Sequence, residues 1–323
     1  MRRWTWIAVL ALALAASLLV SLTMGAVPIP VSTVLAALRE PAGEPSATAH
    51  RIVWDLRLAR SLLAVVIGAA LAASGTAYQA LFQNPLADPF VIGASGGAAL
   101  GATIAIILGA ASGVMLAAFA GALIAVAVVY GLGQAGGRRS SVQLLLAGAT
   151  LGTLLSAAVS LLMFLNDRNL HEVFAWLMGG LSGRSWPHLR LAAPLGLIGI
   201  GVLWLCSRPL DALTCGEETA QSLGLSLSRA RALIVAAATL STAAAVASGG
   251  IIGFVGLLAP HMARRLGAHA HRVLVPSAAL LGALLLLWAD SLARTVMAPL
   301  ELPVGILTAL LGAPTFLWLL GRR

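Results

Sequence analysis

The chain has 323 residues, of which 60% are hydrophobic and only 10% are charged, and its mean hydropathy is +0.98. A soluble globular domain carries about 25% charged residues, so the composition excludes that class. A helix needs about 20 apolar residues to cross the hydrocarbon core of a bilayer. We therefore expect a single all-α integral membrane domain over residues 1–323, with most of the chain in membrane spans.

The net charge is +9, and all 20 basic residues are arginines because the sequence contains no lysine. The arginines stand singly or in pairs between hydrophobic blocks, which is typical of residues that set membrane topology. We therefore expect no nucleic-acid partner. A Walker A loop requires a lysine that contacts the phosphates, so we do not expect this chain to hydrolyse ATP by that route.

The cysteines and the amino terminus add two further expectations. Cys206 and Cys215 lack the spacing of a metal site and fall at a predicted cytoplasmic end, so we expect neither a disulfide nor a bound metal. The amino-terminal apolar run over 4–24 is longer than the about 7–15 residues of a signal-peptide core. We therefore interpret it as a retained first helix.

Apolar runs between helix breakers predict about ten transmembrane helices. An even number places both termini on one side, and we expect that side to be cytoplasmic. In that orientation twelve of the arginines lie at inner ends and eight at outer ends, a bias that favours it. The predicted spans are 4–24, 60–82, 92–109, 113–133, 142–165, 190–207, 231–248, 251–266, 273–294 and 304–320.

Four segments lie outside these spans. An outer loop over 28–55 is predicted to contain a short helix at 31–38, and a periplasmic segment over 166–189 is predicted to contain a half-helix at 173–178. Residues 134–141 form a predicted cytoplasmic turn. The longest predicted cytoplasmic loop, 208–230, contains an acidic and apolar pattern that predicts a short helix over 217–223, with Gly224 as its C-cap.

Residues 57–101 hold two apolar spans joined by a turn at 84–89 with the sequence NPLADP. Asn84 and Asp88 can accept hydrogen bonds from helix-end amides, and Pro85 and Pro89 can end the flanking helices. We therefore interpret this turn as structural. The glycines at 93, 97 and 101, and those at 148 and 152, form small-residue faces that indicate close helix packing.

The sequences of four segments resemble those of the FecCD-type permease subunits of ABC importers for ferric siderophores, haem and cobalamin. At 57–89 the chain reads RLARSLLAVVIGAALAASGTAYQALFQNPLADP, and at 175–186 it reads AWLMGGLSGRSW. The third segment is GEETAQSLGL at 216–225. The fourth begins with GGIIGFVGLLAPHMARRLG at 249–267 and continues to residue 320. Ala59 stands where many members carry proline.

The resemblance implies a type II ABC importer permease fold in the bacterial inner membrane. It implies a partnership with a second copy or a paralogue, and a translocation pathway along the dimer interface. Two separate ATPase subunits would bind ATP and Mg²⁺, and a periplasmic or lipid-anchored binding protein would deliver the substrate. No cofactor is expected in this chain itself. Siderophore, haem and cobalamin all remain open as substrates.

Matching arginines of the family receive acidic residues of the binding protein, and the resemblance transfers this docking role to Arg57, Arg60 and Arg294. A guanidinium binds a carboxylate bidentately, although the same arginines could instead be anchors that reach the lipid headgroups. Asp290 and Arg294 are four residues apart on one helix face and can form a structural ion pair. An intramembrane carboxylate is otherwise a candidate for transport chemistry.

The resemblance also implies two cytoplasmic sites. A coupling segment contacts the ATPase through Glu217, Glu218, Ala220, Leu223 and Gly224; the alternative is a solvated surface loop. Ser141 and Val142, which follow Arg138 and Arg139, match the family's cytoplasmic gate, although their spacing alone would indicate an ordinary turn. A different class of protein, an ion-coupled secondary transporter, would need unpaired carboxylates within its spans.

Overall fold

The computed structural model describes residues 2–25, 27–39, 47–135 and 141–320, and throughout these ranges the chain forms helices, turns and loops without a β-strand. A π-helical turn at Ile52–Leu58 joins α3 to α4 without a break. The α-helices are α1 Arg2–Thr23, α2 Val31–Arg39, α3 Ala47–Arg51, α4 Ala59–Leu81, α5 Ala94–Ile107, α6 Val114–Ala135, α7 Ser141–Leu165, α8 Leu170–Leu177, α9 Trp186–Leu205, α10 Ser207–Thr214, α11 Glu217–Ser222, α12 Leu227–Gly249, α13 Val255–Arg265, α14 His271–Ala293 and α15 Val304–Leu320.

Seven helices in the described ranges are long and apolar enough to cross a membrane, namely α1, α4, α6, α7, α9, α12 and α14. Helices α5 and α15 are apolar but shorter, with 14 and 17 residues. Each of the ten predicted spans therefore corresponds to a helix, and the all-α membrane fold is confirmed. We call the two ends of this bundle outer and inner, following the predicted orientation.

The predicted length of the eighth span, 251–266, is wrong. Helix α13 has only 11 residues, which at 1.5 Å per residue is about 16 Å and half the thickness of the bilayer core. Two left-handed residues cause the break, since Gly250 has a φ of +72° and Phe254 a φ of +67°. The chain after α12 is therefore non-helical over 250–254, and its next helix begins only at Val255.

Helix α4 forms the centre of the bundle and packs against α9, α12, α13 and α14. Two of its glycines permit this close approach. Gly68 lies against the carbonyl of Gly282 in α14, and Gly75 lies against the carbonyl of Gly256 in α13, with no room at either position for a Cβ atom. Small residues thus bring the backbones into contact, as is common between membrane helices.

The predicted small-residue faces are confirmed in part. Gly97 and Gly101 of α5 pack against the backbone of α6, and Gly148 of α7 packs against the carbonyl of Val91. Gly93 instead precedes α5 with a φ of +84°, a left-handed conformation that glycine adopts without strain. A Cβ on the remaining glycine, at position 152, would meet no atom within 4 Å in the described part of the chain.

The segment between α8 and α9 folds back against the outer part of the bundle. The amide of Gly180 donates to the carbonyl of Gly249 at the end of α12 (2.8 Å), and the amide of Gly305 donates to the carbonyl of Gly179 (3.1 Å). Gly179 has a φ of +66°. This segment therefore connects the end of α12 to the start of α15, beside the predicted half-helix, which the structure forms as α8.

The NPLADP turn is held by its own side chains. Asn84 Oδ1 accepts from the amide of Leu86 and Asp88 Oδ1 accepts from the amide of Phe90, both at 2.9 Å. These amides belong to the turn and not to a helix end, because α4 has already ended and α5 begins later; the predicted capping of helix ends is therefore wrong. Burial raises the pKa of the Asp88 carboxyl to about 6.

Candidate functional site

The outer part of the bundle is organised around the fully buried carboxylate of Asp290 in α14. Arg60, in the first turn of α4, approaches it with two nitrogens, Nε at 2.9 Å and Nη2 at 2.8 Å from Oδ1. Arg294 approaches the other oxygen, with Nε 3.2 Å from Oδ2. Asp290 and Arg294 thus form the ion pair that their spacing predicts, and Arg60 adds a second cation that the local sequence does not indicate.

Three serine hydroxyls extend this cluster to α1. Arg294 Nη2 donates to Ser21 Oγ at 2.9 Å, and Ser21 Oγ lies 3.0 Å from the hydroxyls of both Ser61 and Ser291. A buried charge is tolerated when it is paired and hydrogen-bonded. The cluster therefore fastens α1, α4 and α14 to one another at a single level of the bundle.

Arg60 also reaches the outer surface through its remaining nitrogen. Its Nη1 donates to Glu301 Oε2 at 2.8 Å, and the Glu301 carboxylate also bonds the Ser182 side chain. Burial alone would raise the pKa of Glu301, but the hydrogen bond and the charge of Arg60 outweigh it and hold that pKa below its usual range. Glu301 is thus a fixed anion at the outer end of the bundle.

Arg57 lies in the π-helical turn and is held separately. Its guanidinium donates to the carbonyl oxygens of Leu22 (2.8 Å) and Val27 (2.5 Å), which lie at and just beyond the end of α1. A cation near carbonyls at a helix C-terminus is favourable because it complements the helix dipole. Arg57 therefore anchors the start of the outer loop.

The three predicted docking arginines are not exposed charges in this subunit. Only 7% of Arg57, 8% of Arg60 and 5% of Arg294 is exposed, and each guanidinium is bonded inside the protein. In this subunit none of the three guanidinium groups is therefore free at the surface to receive a carboxylate. Their docking of a binding protein stays a prediction. It requires either that the arginines exchange their internal contacts for carboxylates of the binding protein, or that they act by holding other groups in place.

The predicted coupling segment folds as a short helix, α11, that ends one residue earlier than expected. Gly224 follows it with a φ of +82°. The amide of Gly224 donates to the carbonyl of Gln221 (2.9 Å), and the amide of Leu225 donates to the carbonyl of Ala220 (3.1 Å). This pair of bonds is the Schellman arrangement, which needs a left-handed residue at the position of Gly224.

One face of the coupling segment packs against the protein, and the opposite face is exposed. Ala220 is fully buried, and Glu217 forms an ion pair with Arg231 in α12. Glu218 is exposed, and 72% of Leu223 is exposed. The helix is thus fixed to α12 on one side and presents an apolar side chain and a carboxylate on the other.

The predicted gate lies at the start of α7, which begins at Ser141. Val142 follows and is 60% exposed. Arg138 and Arg139, which the sequence places beside this gate, lie outside the described residues. The gate therefore stays a prediction.

Two contacts at the inner end were not predicted from the sequence. Asp211 Oδ1 accepts from the backbone amide of His271 (2.9 Å) and lies 2.6 Å from its Nδ1, so it caps α14 from α10. Arg264 Nη1 donates to Gln79 Oε1 at 2.6 Å and joins α13 to α4. No local motif signals these pairs, because each joins residues that lie far apart in the chain.

Comparisons with known proteins agree with this architecture. The profile of the FecCD transport family matches residues 13–322. The cobalamin import system permease protein BtuC of Halobacterium salinarum is 40% identical over 306 residues, which are 94% of this chain and 82% of that protein. The vitamin B12 import system permease protein BtuC of Salmonella typhimurium is 40% identical over 280 residues, 85% of each chain.

Two solved structures are similar. An inward-facing metal-chelate type ABC transporter superposes with a TM-score of 0.88 at 32% identity, covering 98% of this chain and 99% of the other. PsaBC of Streptococcus pneumoniae superposes with a TM-score of 0.60 over 89% of this chain and 94% of the other, and at 17% identity it shows the fold alone. The chain belongs to the FecCD transport family and is a multi-pass permease subunit of an ABC importer, not an enzyme.

Proposed function

We propose that this permease moves cobalamin or a closely related corrinoid inward across the membrane. The observation that carries this proposal is the 40% identity to two cobalamin permeases from distant organisms, over 94% and 85% of this chain. A second candidate is an iron complex, a ferric siderophore or haem. The similarity to a metal-chelate type transporter favours it.

Two ATPase subunits would supply the energy and would bind ATP and Mg²⁺, so this chain needs no cofactor of its own. The coupling segment has the features such a contact requires. A short helix that is fixed to α12 on one side and exposes Leu223 and Glu218 on the other can transmit movement of a partner as a rigid body. Pairing with a second copy or a paralogue would complete the pathway at the dimer interface, with Ser141 and Val142 at its cytoplasmic gate.

A periplasmic or lipid-anchored binding protein would deliver the cargo to the outer end. We propose that Arg57, Arg60 and Arg294 support this docking by holding the outer loops and Glu301 in place. Reversal of Arg60 to Glu would set a carboxylate against Asp290 and would damage folding and docking together. The substitution Arg57→Gln is a cleaner test, since Arg57 bonds backbone carbonyls and not the Asp290 carboxylate.

The alternative of an ion-coupled secondary transporter is less well supported. Its coupling carboxylate would have to exchange a proton or a cation within the membrane. Asp290, the carboxylate of α14, is fully buried and paired with both Arg60 and Arg294. A carboxylate held by two cations is a structural anchor.

Uptake by cells tests the proposed substrate. Cells that lack their own permease would express this chain with its ATPase and binding protein, and would receive labelled cyanocobalamin, a labelled ferric siderophore or labelled haem. We expect ATP-dependent uptake of cyanocobalamin. Uptake of an iron complex alone would replace the proposed substrate, and uptake that collapses with the ion gradient while ATP persists would support the secondary transporter.

A further inference from the structure

A cavity of about 730 Å³ lies at the outer end of the protein. Its wall is formed by α8, by the segment between α8 and α9, by the connection from α5 to α6, and by the residues just before α15. Sites for small molecules commonly have volumes of about 300–1,000 Å³. Six of the lining side chains carry a hydrogen-bonding group, namely Asn169, Glu172, Trp176, Ser182, Arg184 and Glu301.

Arg184 brings a cation to this cavity that no carboxylate neutralises in the described part of the chain. Its Nη1 donates to His188 Nε2 at 3.0 Å, so its hydrogen-bond partner is an imidazole. Its Nε is buried and has no acceptor among the residues that the structure describes. Burial lowers the pKa of the guanidinium, but arginine remains protonated at neutral pH.

Trp176 contributes a second buried N–H donor that lacks an acceptor. Only 7% of this residue is exposed, and its indole Nε1 is buried without an acceptor in the described ranges. Buried donors that lack a partner are rare in native proteins, and each needs an explanation. Trp176 and Arg184 both line this one cavity, so a bound group that carries an oxygen acceptor would lie beside both donors.

The two carboxylates of the wall differ in whether they are already engaged in hydrogen bonds within the protein. Glu301 is already engaged by Arg60 and Ser182. Glu172 is exposed on α8 and has no ion pair among those described, so it can accept from a ligand N–H. A carboxamide presents both halves of this pattern, a carbonyl oxygen for the donors and an N–H group for the acceptor.

We propose that this cavity binds a peripheral carboxamide group of the cargo, with Arg184 and Trp176 donating to its carbonyl oxygen and Glu172 accepting from its nitrogen. This inference rests on the proposed function, because corrinoids carry such carboxamides around their ring. The cavity takes one peripheral group, and the rest of the cargo stays in the pathway outside the subunit. The site would thus select amide-bearing chelates at the entrance.

Binding of labelled cyanocobalamin to the assembled transporter in nanodiscs tests the site, with haemin, whose side groups are carboxylates, as the contrasting probe. The variants are Arg184→Met and Trp176→Phe, with Arg184→Lys as the conservative change. Arg190→Met is the matched control, because Arg190 is an exposed arginine of α9 that does not line the cavity. Melting temperatures of all variants establish that they are folded.

We expect each of the first two variants to bind cyanocobalamin about tenfold more weakly, as for a lost hydrogen bond to a charged or buried donor, with Arg184→Lys in between and Arg190→Met unchanged. Absence of binding by the wild type, or equal binding by all variants, overturns the site. Haemin binding that depends on the same residues overturns the carboxamide assignment. Uptake measured on the same transporter separates the two proposals. If cyanocobalamin is taken up but all variants bind it equally, the cavity is rejected and the proposed function stands. If the cavity variants bind it more weakly but the transporter does not take it up, the proposed function is rejected and the cavity stands.

Discussion

Arg60 and Asp290 lie 230 residues apart in the sequence, and a two-nitrogen ion pair joins them in the buried outer part of the bundle. Asp290 also holds Arg294, and Arg60 also holds Glu301. One carboxylate thus fixes the start of α4 to the end of α14, and the same chain of charges reaches the outer surface.

Replacing Asp290 by Asn should strongly destabilise the protein. The substitution preserves the shape of the side chain but leaves Arg294 buried without a carboxylate and Arg60 with Glu301 alone. Removal of one partner of a buried ion pair typically costs about 3–5 kcal/mol. The measurement is the fraction of monodisperse protein that survives heating, followed by size-exclusion chromatography. Asp167→Asn is the control, since Asp167 is exposed and has no ion pair among those described; equal survival of the two variants would contradict the anchoring role.

Replacing Gly68 by Ala should destabilise the contact between α4 and α14. The added methyl group would collide with the backbone of Gly282, which cannot move aside as a flexible side chain could, and overpacking of this kind costs about 1–3 kcal/mol. Gly201→Ala in α9 is the matched control, because an added Cβ there meets no atom within 4 Å in the described structure. We expect the control to melt as the wild type does. A melting temperature of Gly68→Ala equal to that of the control would show that the helices can separate freely.

Replacing Gly224 by Val should uncouple ATP hydrolysis from uptake. A β-branched residue in the left-handed region costs about 1–2 kcal/mol, so the end of α11 would rearrange and Leu223 would shift. The measurement is uptake per ATP hydrolysed by the reconstituted transporter, which we expect to fall while hydrolysis continues. Gly267→Val imposes similar strain at another inner turn, since Gly267 has a φ of +89° and an added Cβ there would meet no atom within 4 Å among the described residues. An equal loss of coupling in both variants would remove the special role of the segment.

Replacing Asp88 by Asn should stabilise the protein at neutral pH. Burial raises the folded-state pKa of Asp88 to about 6, above the about 3.9 of an unfolded chain. Folding therefore favours the protonated form, and wild-type stability should fall as the pH rises from about 4 to about 6, with the full cost present above 6. Asn keeps the acceptor for the Phe90 amide and has no such cost.

The measurement for Asp88 is the difference in melting temperature between variant and wild type at several pH values. We expect this difference to be largest at pH 7.5 and to shrink towards pH 5. A difference that does not vary with pH would mean that Asp88 is ionised in the folded protein.

Several elements could be predicted because their signals are local. The long apolar runs of α1, α6 and α12 mark membrane helices by length and hydropathy alone, and the acidic start and the final glycine of 217–224 mark a short helix. Asp290 and Arg294 are four residues apart on one helix, so their ion pair also follows from the sequence. Local spacing failed at 250–254, where the left-handed residues Gly250 and Phe254 keep an apolar run out of the helical conformation.

By itself the sequence determined that this chain is a helical membrane protein, how its spans are ordered, and which family it resembles. Each of these depends on composition, periodicity and local sequence motifs. Only the tertiary structure decided that Arg57, Arg60 and Arg294 are buried, that α13 spans half the membrane, and that Arg184 and Trp176 line one cavity. The physical reason is that exposure and pairing arise from contacts between segments far apart in the chain. Local sequence patterns do not indicate those contacts.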